Sequence, residues 1–241
     1  MSKLAKTKLI VALDVETAQK ALELSTALRD IVGMFKIGMQ LFTAAGPDIV
    51  REIIKGGGRV FLDLKYHDIP NTVAAAGVEA ARLGVSIFNI HASGGSEMMR
   101  RTADAVTAVS QREGLVRPKI IAVTLLTSAD AAVLAEIGVV NNPKQQVTTL
   151  AQLAAASDLD GVVASPLEIT AIRAAVAREE FLIVTPGIRP SGITANDQRR
   201  LMTPAGAMSA GSDYLVVGRP IIEASDPTQA AREIIEEIER L

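Results

Sequence analysis

The 241-residue sequence contains no cysteine and no tryptophan. The first absence excludes a disulfide scaffold, a thiolate nucleophile, a thiolate-ligated zinc and a cysteine-held iron–sulfur cluster. The second, with aromatic residues at only 3%, leaves little on which nucleic-acid bases could stack. Neither sign of charge dominates: 25 Lys and Arg stand against 27 Asp and Glu, a formal net charge of −2. No basic field therefore points to a nucleic-acid partner. The only histidines, His67 and His91, are not at a close metal-ligand spacing. No apolar run approaches the ~20 residues of a membrane helix. The run at residues 9–13, behind Lys3, Lys6 and Lys8, is too short for the apolar centre of a secretory leader, and Asp14 closes it. The expectation is a cytoplasmic protein with neither a membrane nor a nucleic acid as partner.

Hydrophobic residues make up 49% of the chain, and their order is informative. Short β-rich runs occupy residues 8–14, 34–38, 59–64, 86–91, 119–125, 161–164, 181–185 and 214–217. Each is nearly continuous in apolar residues, as strands buried on both faces are. Between them lie Ala-, Leu- and Glu-rich stretches at helical spacing, such as Leu22, Leu24 and Leu28, or Ala80, Ala81 and Leu83. A last helix carries Ile234, Ile235, Ile238 and Leu241 on one stripe, with Asp226 as its N-cap and Pro227 at its first position. The segment around Asn141-Asn142-Pro143 has room for two helices. Strands alternating with crossovers in this number predict an α/β fold, a closed (β/α)8 TIM barrel, as a single domain over residues 1–241. A doubly wound sheet is the alternative, but it calls for a glycine-rich turn after the first strand, and Ala12-Leu13-Asp14-Val15-Glu16 has none.

In such a barrel, polar residues at the C-terminal ends of the strands build the active site. Those ends carry Asp14, Lys36, Asp63 with Lys65, His91, Thr127, Ser165, Pro186-Gly187 and Gly218-Arg219. Charges beside apolar strands must be paired or must serve a ligand. The densest group is residues 61–72. Strand alternation puts Asp63 and Lys65 on one face, and Asp68 follows on a loop. Carboxylate, ammonium and carboxylate together would keep Lys65 protonated and able to deliver a proton to carbon. The other reading is a structural ion pair beside a turn, with Pro70 opening the next helix. Taken singly, Lys36 reads as a snorkelling lysine and Asp14 as a helix cap; charges repeated around one rim favour a site. A second group comprises Thr185-Pro186-Gly187-Ile188-Arg189-Pro190, Asp197-Gln198-Arg199 and Val217-Gly218-Arg219-Pro220. Loops after the seventh and eighth strands are the usual barrel phosphate site, and the polar stretch at residues 189–197 suits a lid. A metal is disfavoured because Lys65 would compete with any cation near Asp63, and His91 reads as a hydrogen-bonded rim residue.

These motifs, Asp63-Leu64-Lys65-Tyr66-His67-Asp68-Ile69-Pro70-Asn71-Thr72 with Asp14, Lys36, the 185–190 stretch and Gly218-Arg219-Pro220, resemble the bacterial-type orotidine 5′-monophosphate decarboxylases. The similarity runs essentially end to end. The resemblance implies decarboxylation of orotidine 5′-monophosphate to uridine 5′-monophosphate and CO₂, the last step of de novo pyrimidine synthesis, with no cofactor and no metal. It implies a catalytic set of Lys65, Asp63, Asp68 and Lys36. Lys65 would protonate C6 of the pyrimidine, and Asp63 would lie by the departing carboxylate, acting by repulsion or by holding Lys65. Asp14 and Lys36 would hold the ribose hydroxyls, Thr127 the pyrimidine, and Gln198 would bridge base and phosphate. Arg189, Gly218 and Arg219 would bind the phosphate, and Pro186 would belong to the substrate-binding set. Asp68 and Thr72 would reach across a homodimer interface into the partner's site.

Overall fold

Each apolar run forms a strand because alternate residues find two different apolar surroundings. The computed structural model describes residues 3–190 and 202–240. Its strands are β1 (Leu9–Ala12), β2 (Met34–Gly38), β3 (Val60–Tyr66), β4 (Ile87–His91), β5 (Lys119–Val123), β6 (Gly161–Val163), β7 (Leu182–Thr185) and β8 (Tyr214–Val217). All pair in parallel with their sequence neighbours, and β8 returns to β1, so the eight strands close a barrel with helices outside. Ile10, Met34, Phe61, Ile87, Ile121, Val184 and Val216 meet inside it. The residues between them, such as Val11, Phe35, Leu62 and Phe88, belong to the larger core shared with the helices. A closed parallel sheet leaves neither face wet, which is why period-2 polarity is missing from the sequence.

Two residues further along the strands the inward row changes character. Met34 is followed by Lys36, Phe61 by Asp63 and Ile87 by Asn89. An apolar plug thus fills the lower barrel, and a polar layer sits on it at the C-terminal end.

The crossovers follow local rules. The helix Pro227–Glu239 buries Ile234, Ile235 and Ile238, and the Asp226 side chain accepts a hydrogen bond from the Gln229 N–H. The β5–β6 crossover holds two helices, Ala131–Glu136 and Pro143–Ala155; Asn142 and Gln145 cap the second reciprocally. β2 and β8 keep the expected bounds, and the ends of the other strands differ from the sequence expectation by at most two residues. The third strand runs on to Tyr66 because it is irregular: Leu62 pairs with Phe88, but the next pair is Tyr66 with Ile90. Four residues of β3 therefore pass while β4 advances by two. No described helix is long and apolar enough to cross a membrane.

The N-terminal rim is held by carboxylates of another kind. Asp160, before β6, accepts from the Ile120 N–H at 2.8 Å, Arg117 at 2.7 Å and Lys119 at 2.9 Å. Asp213, before β8, accepts from the Ile183 N–H at 2.7 Å and Arg173 at 2.6 Å. Each acid ties two neighbouring strands. Burial would raise the Asp160 carboxyl, but the Ile120 N–H, Arg117 and Lys119 outweigh it, and the group lies below its ordinary value. Asp160→Ala leaves the Ile120 N–H without its acceptor. Thermal denaturation should show a loss of about 1–3 kcal/mol, roughly 5 °C for a chain of this size. A depressed carboxyl contributes above its unfolded pKa near 4 and loses that contribution as pH falls through the folded value. The deficit should therefore be full at neutral pH and shrink in acid. An equal deficit at all pH values would show that the ionised carboxylate is not its cause.

Candidate active site

The charges of the upper barrel sit where the strand pattern aims them inward. Lys36 on β2, Asp63 on β3 and Asn89 on β4 are 9%, 8% and 0% exposed. Asp14 stands two residues beyond β1. Ions at that depth persist only when paired and hydrogen-bonded. Lys36 Nζ lies 3.1 Å from Asp14 Oδ1 and 3.2 Å from Asp63 Oδ2. Lys65 Nζ meets the other oxygen, Asp63 Oδ1, at 2.7 Å. Asn89 Nδ2 donates to that same Oδ1 at 2.7 Å. Charges thus alternate in sign along one run of contacts: Asp14, Lys36, Asp63, Lys65.

The surroundings set the protonation states. Burial alone would raise the Asp63 carboxyl. The charges of Lys36 and Lys65, and hydrogen bonds from Lys65 and Asn89, overcome this and hold it below the ordinary carboxylate range. Burial alone would lower the Lys36 ammonium, yet the charges of Asp63 and Asp14 raise it above its ordinary value. Both groups are ionised at neutral pH. His91 ends β4, and its ring packs on His67 with centroids 5.3 Å apart. Burial, then the charges of His67 and Lys65, push the His91 imidazole down, so it is neutral there.

Above these groups opens a cavity of about 430 Å³, a size that suits a small organic ligand. Asp14, Lys36, Asp63, Lys65, Thr127, Pro186, Arg189, Gly218 and Arg219 all line it. The loop after β7 brings Pro186, Gly187 and Arg189, with Gly187 at φ 79. The loop after β8 brings Gly218 and then Arg219, the first residue of the short helix Arg219–Ile222. A Cβ on Gly218 would stand 3.5 Å from the Ala12 Cβ and 3.7 Å from Asp14 Oδ2. Glycine there keeps the backbone open to the cavity at no packing cost.

Two expected members do not line this cavity, and one cannot be placed. Asp68 is exposed, and its carboxylate accepts from the Ile69 N–H at 2.6 Å. Thr72 is exposed in the first turn of the helix Pro70–Arg82. Within one chain, then, the expected carboxylate–ammonium–carboxylate set of Asp63, Lys65 and Asp68 is not assembled. The actual arrangement is ammonium, carboxylate, ammonium, with Lys36 on the far side of Asp63, because β2 lies beside β3 whereas Asp68 has left the sheet. Gln198, with Asp197 and Arg199, lies outside the described residues. Sequence reading passed over Asn89. Its signal was a lone amide in an otherwise apolar strand, on the same parity as Ile87 and His91.

Asp63→Asn tests the electrostatics directly. It removes the anion between two ammoniums and leaves buried Lys36 with Asp14 alone. Breaking a buried pair in this way costs roughly 3 kcal/mol. A lysine with a raised folded pKa contributes stability below its unfolded pKa and loses it as pH rises through the folded value. The variant should therefore be destabilised at neutral pH, and its Lys36 ammonium should titrate at lower pH by NMR of the side-chain nitrogen. An unmoved Lys36 titration would show that Asp63 does not hold the charge.

The chain is similar to known proteins over nearly its whole length. The sequence matches the "Orotidine 5'-phosphate decarboxylase / HUMPS family" over residues 7–234. A protein named orotidine 5′-phosphate decarboxylase from Syntrophotalea carbinolica is 54% identical over 234 residues, 97% of this chain and 96% of that protein. One of the same name from Geobacter sulfurreducens is 53% identical, covering 97% of each chain. The crystal structure of orotidine 5′-phosphate decarboxylase from Lactobacillus acidophilus superposes with a TM-score of 0.82 at 39% identity, over 95% of this chain and 98% of that one. That from Pyrococcus horikoshii OT3 superposes with a TM-score of 0.76 at 27% identity, over 96% and 99%. Fold, end-to-end similarity and family match lead to one conclusion: the chain belongs to the orotidine 5′-phosphate decarboxylase / HUMPS family.

Proposed function

We propose that the chain decarboxylates orotidine 5′-monophosphate to uridine 5′-monophosphate in pyrimidine biosynthesis, without a cofactor, using Lys65 as the proton donor. The activity is that of its named relatives. The observation that carries the mechanistic part is the Lys65 ammonium held at 2.7 Å by a buried carboxylate, in a cavity whose other members include Arg189 and Arg219. In the reaction the bond from C6 to the carboxylate breaks, CO₂ leaves, and the electron pair stays on C6. A fixed ammonium beside that carbon is preorganised stabilisation for the developing charge. One Lys65 proton then passes to C6, and the resulting amine recovers its proton from water. Asp63, at 2.7 Å, keeps the ammonium aimed. Asp14 and Lys36 would take the ribose hydroxyls, and Thr127 the pyrimidine. Arg189 and Arg219, with the backbone N–H of Gly218, would take the phosphate, Pro186 would line the substrate site, and Gln198 would bridge base and phosphate. Binding at that remote end lowers the barrier when it is spent on closure and orientation.

We also propose a homodimer that shares its sites. Asp68 and Thr72 are exposed beside Ile69, itself 66% exposed, and a partner covering this segment would draw both polar groups toward a second cavity. The cytoplasm fits the absence of cysteine.

Lys65→Ala should lower kcat by about 10⁴-fold or more, since both proton transfer and charge stabilisation go, while uridine 5′-monophosphate still binds. Chelator should leave wild-type turnover unchanged, as followed by loss of substrate absorbance. Near-normal turnover of Lys65→Ala at saturating substrate would overturn the donor assignment, and chelator sensitivity would overturn the cofactor-free reading.

The shared site is tested by mixing. Lys65→Ala and Asp68→Ala proteins, each inactive alone, should regain part of the wild-type activity once subunits exchange. No recovery despite demonstrated exchange would argue that each chain works with its own Asp68.

A further inference from the structure

One buried polar side chain of the upper barrel has no part in the mechanism above. Asn89 is fully buried on β4, and its amide is used at both ends. Nδ2 donates to Asp63 Oδ1 at 2.7 Å, and Oδ1 accepts from the Lys65 backbone N–H at 2.8 Å.

The backbone of β3 explains why such a bridge is needed. Between the pairs Leu62–Phe88 and Tyr66–Ile90, two extra residues must be accommodated, and Lys65 takes up a left-handed conformation at φ 53. A non-glycine residue there is strained and persists only when its surroundings over-determine it. The excursion also takes the Lys65 N–H out of the regular ladder, and a partly buried N–H left without an acceptor is costly. Asn89 supplies that acceptor. Its own place is set by the undisturbed ladder of β4 with β5, where it pairs with Ile121.

The residue type is specific to the task. A carboxylate needs a donor, an N–H needs an acceptor, and a carboxamide carries both on one rigid plane. A carboxyl at this position would face Asp63 as a like charge, and an apolar side chain would serve neither partner. Asn89 and the Lys65 ammonium share the same Asp63 oxygen. Lys65 is therefore fixed at both ends, its backbone by Asn89 and its Nζ by Asp63, and Asp63 is itself fixed by Asn89. We infer that Asn89 is a positioning residue: its amide clamps the left-handed turn at Lys65 to the Asp63 carboxylate, and so sets where the proton-donating ammonium stands against the reacting carbon. This rests on the donor role proposed for Lys65. No contact of Asn89 with ribose, base or phosphate is involved, so its loss should fall on the chemical step.

The test is the split between kcat and ligand binding. In Asn89→Ala, kcat with orotidine 5′-monophosphate should fall at least about tenfold, equivalent to about 1.4 kcal/mol of barrier. The affinity for uridine 5′-monophosphate should stay within about twofold, the signature of an interaction felt mainly in the transition state. Asn89→Asp is the isosteric second variant, and it carries the test if the alanine variant does not fold. Its new carboxyl would face Asp63 and Lys65 on β3, Lys36 on β2 and His91 on its own strand, with Asp14 beyond Lys36. At pH 8 it should be slower than Asn89→Ala. Its rate relative to wild type should rise as pH falls and the introduced carboxyl regains a proton to donate. Variants that keep wild-type kcat while losing only thermal stability would reduce Asn89 to a structural filler and overturn the inference. Parallel loss of kcat and nucleotide affinity would do the same, by showing general collapse of the pocket. A wild-type protein that releases no CO₂ would overturn the proposed function itself, and this inference with it.

Discussion

The upper barrel depends on one buried carboxylate. Asp63 sits among apolar strands with an ammonium on each oxygen, Lys36 at 3.2 Å and Lys65 at 2.7 Å. Removing ions from water costs several kcal/mol each, and attraction repays this only with good geometry and satisfied lone pairs. That condition links elements far apart in sequence. β2 must lie beside β3 to bring Lys36, β4 must lie on the other side to bring Asn89, and Asp14 must stand past β1 to balance Lys36. A shift of one residue in any of these strands would send its polar group outward among the helices. The alternating charges therefore act as a register constraint on β1 to β4, even where their net contribution to stability is small.

The opposite rim shows the same chemistry under a different constraint. Asp160 also has two cationic partners and a hydrogen bond from a strand. Its partner Lys119, however, is more than half exposed, so water carries much of that charge. Asp63 has partners from within the barrel instead, and Lys36 is as deeply buried as the carboxylate it serves. Carboxylates at the N-terminal rim lock strands from outside, and the one at the C-terminal rim holds an ammonium inside a cavity. This division fits a barrel in which one face supports stability and the other chemistry.

The sequence made some of this readable and hid the rest for physical reasons. The strands stood out because a closed parallel sheet demands apolar residues on both faces, and the rim stood out because Asp14, Lys36, Asp63 and Arg219 each interrupt or end an apolar run. The pairing of Asp63 with Lys65 was anticipated from strand alternation, yet β3 reaches it by a different route, through a left-handed residue and two extra positions. Nothing in a one-dimensional pattern marks such a bulge, since it is defined only against the neighbouring strand. Asn89 escaped for the same reason: its partners lie 26 and 24 residues away across the sheet. For Asp68, nearness in sequence to Lys65 makes no contact within one chain, because the chain has left the sheet and the carboxylate accepts from the Ile69 N–H.

Charge arithmetic in the cavity bears on how the proposed reaction would be driven. Asp14, Lys36, Asp63 and Lys65 are two anions and two cations joined in sequence, and His91 adds nothing because burial and its neighbours keep it neutral. The reacting end is thus balanced before any ligand arrives. A substrate carboxylate gains little from it as a net field, for the Lys65 charge is already answered by Asp63. Two cationic side chains, Arg189 and Arg219, line the other end of the same cavity. On the proposed reading the phosphate would supply affinity through these arginines, and the neutral quartet would act when charge moves onto carbon. An ammonium held between a fixed carboxylate and a developing carbanion stabilises the second more than it stabilised the ground state, which is the condition for accelerating a reaction rather than merely binding its substrate.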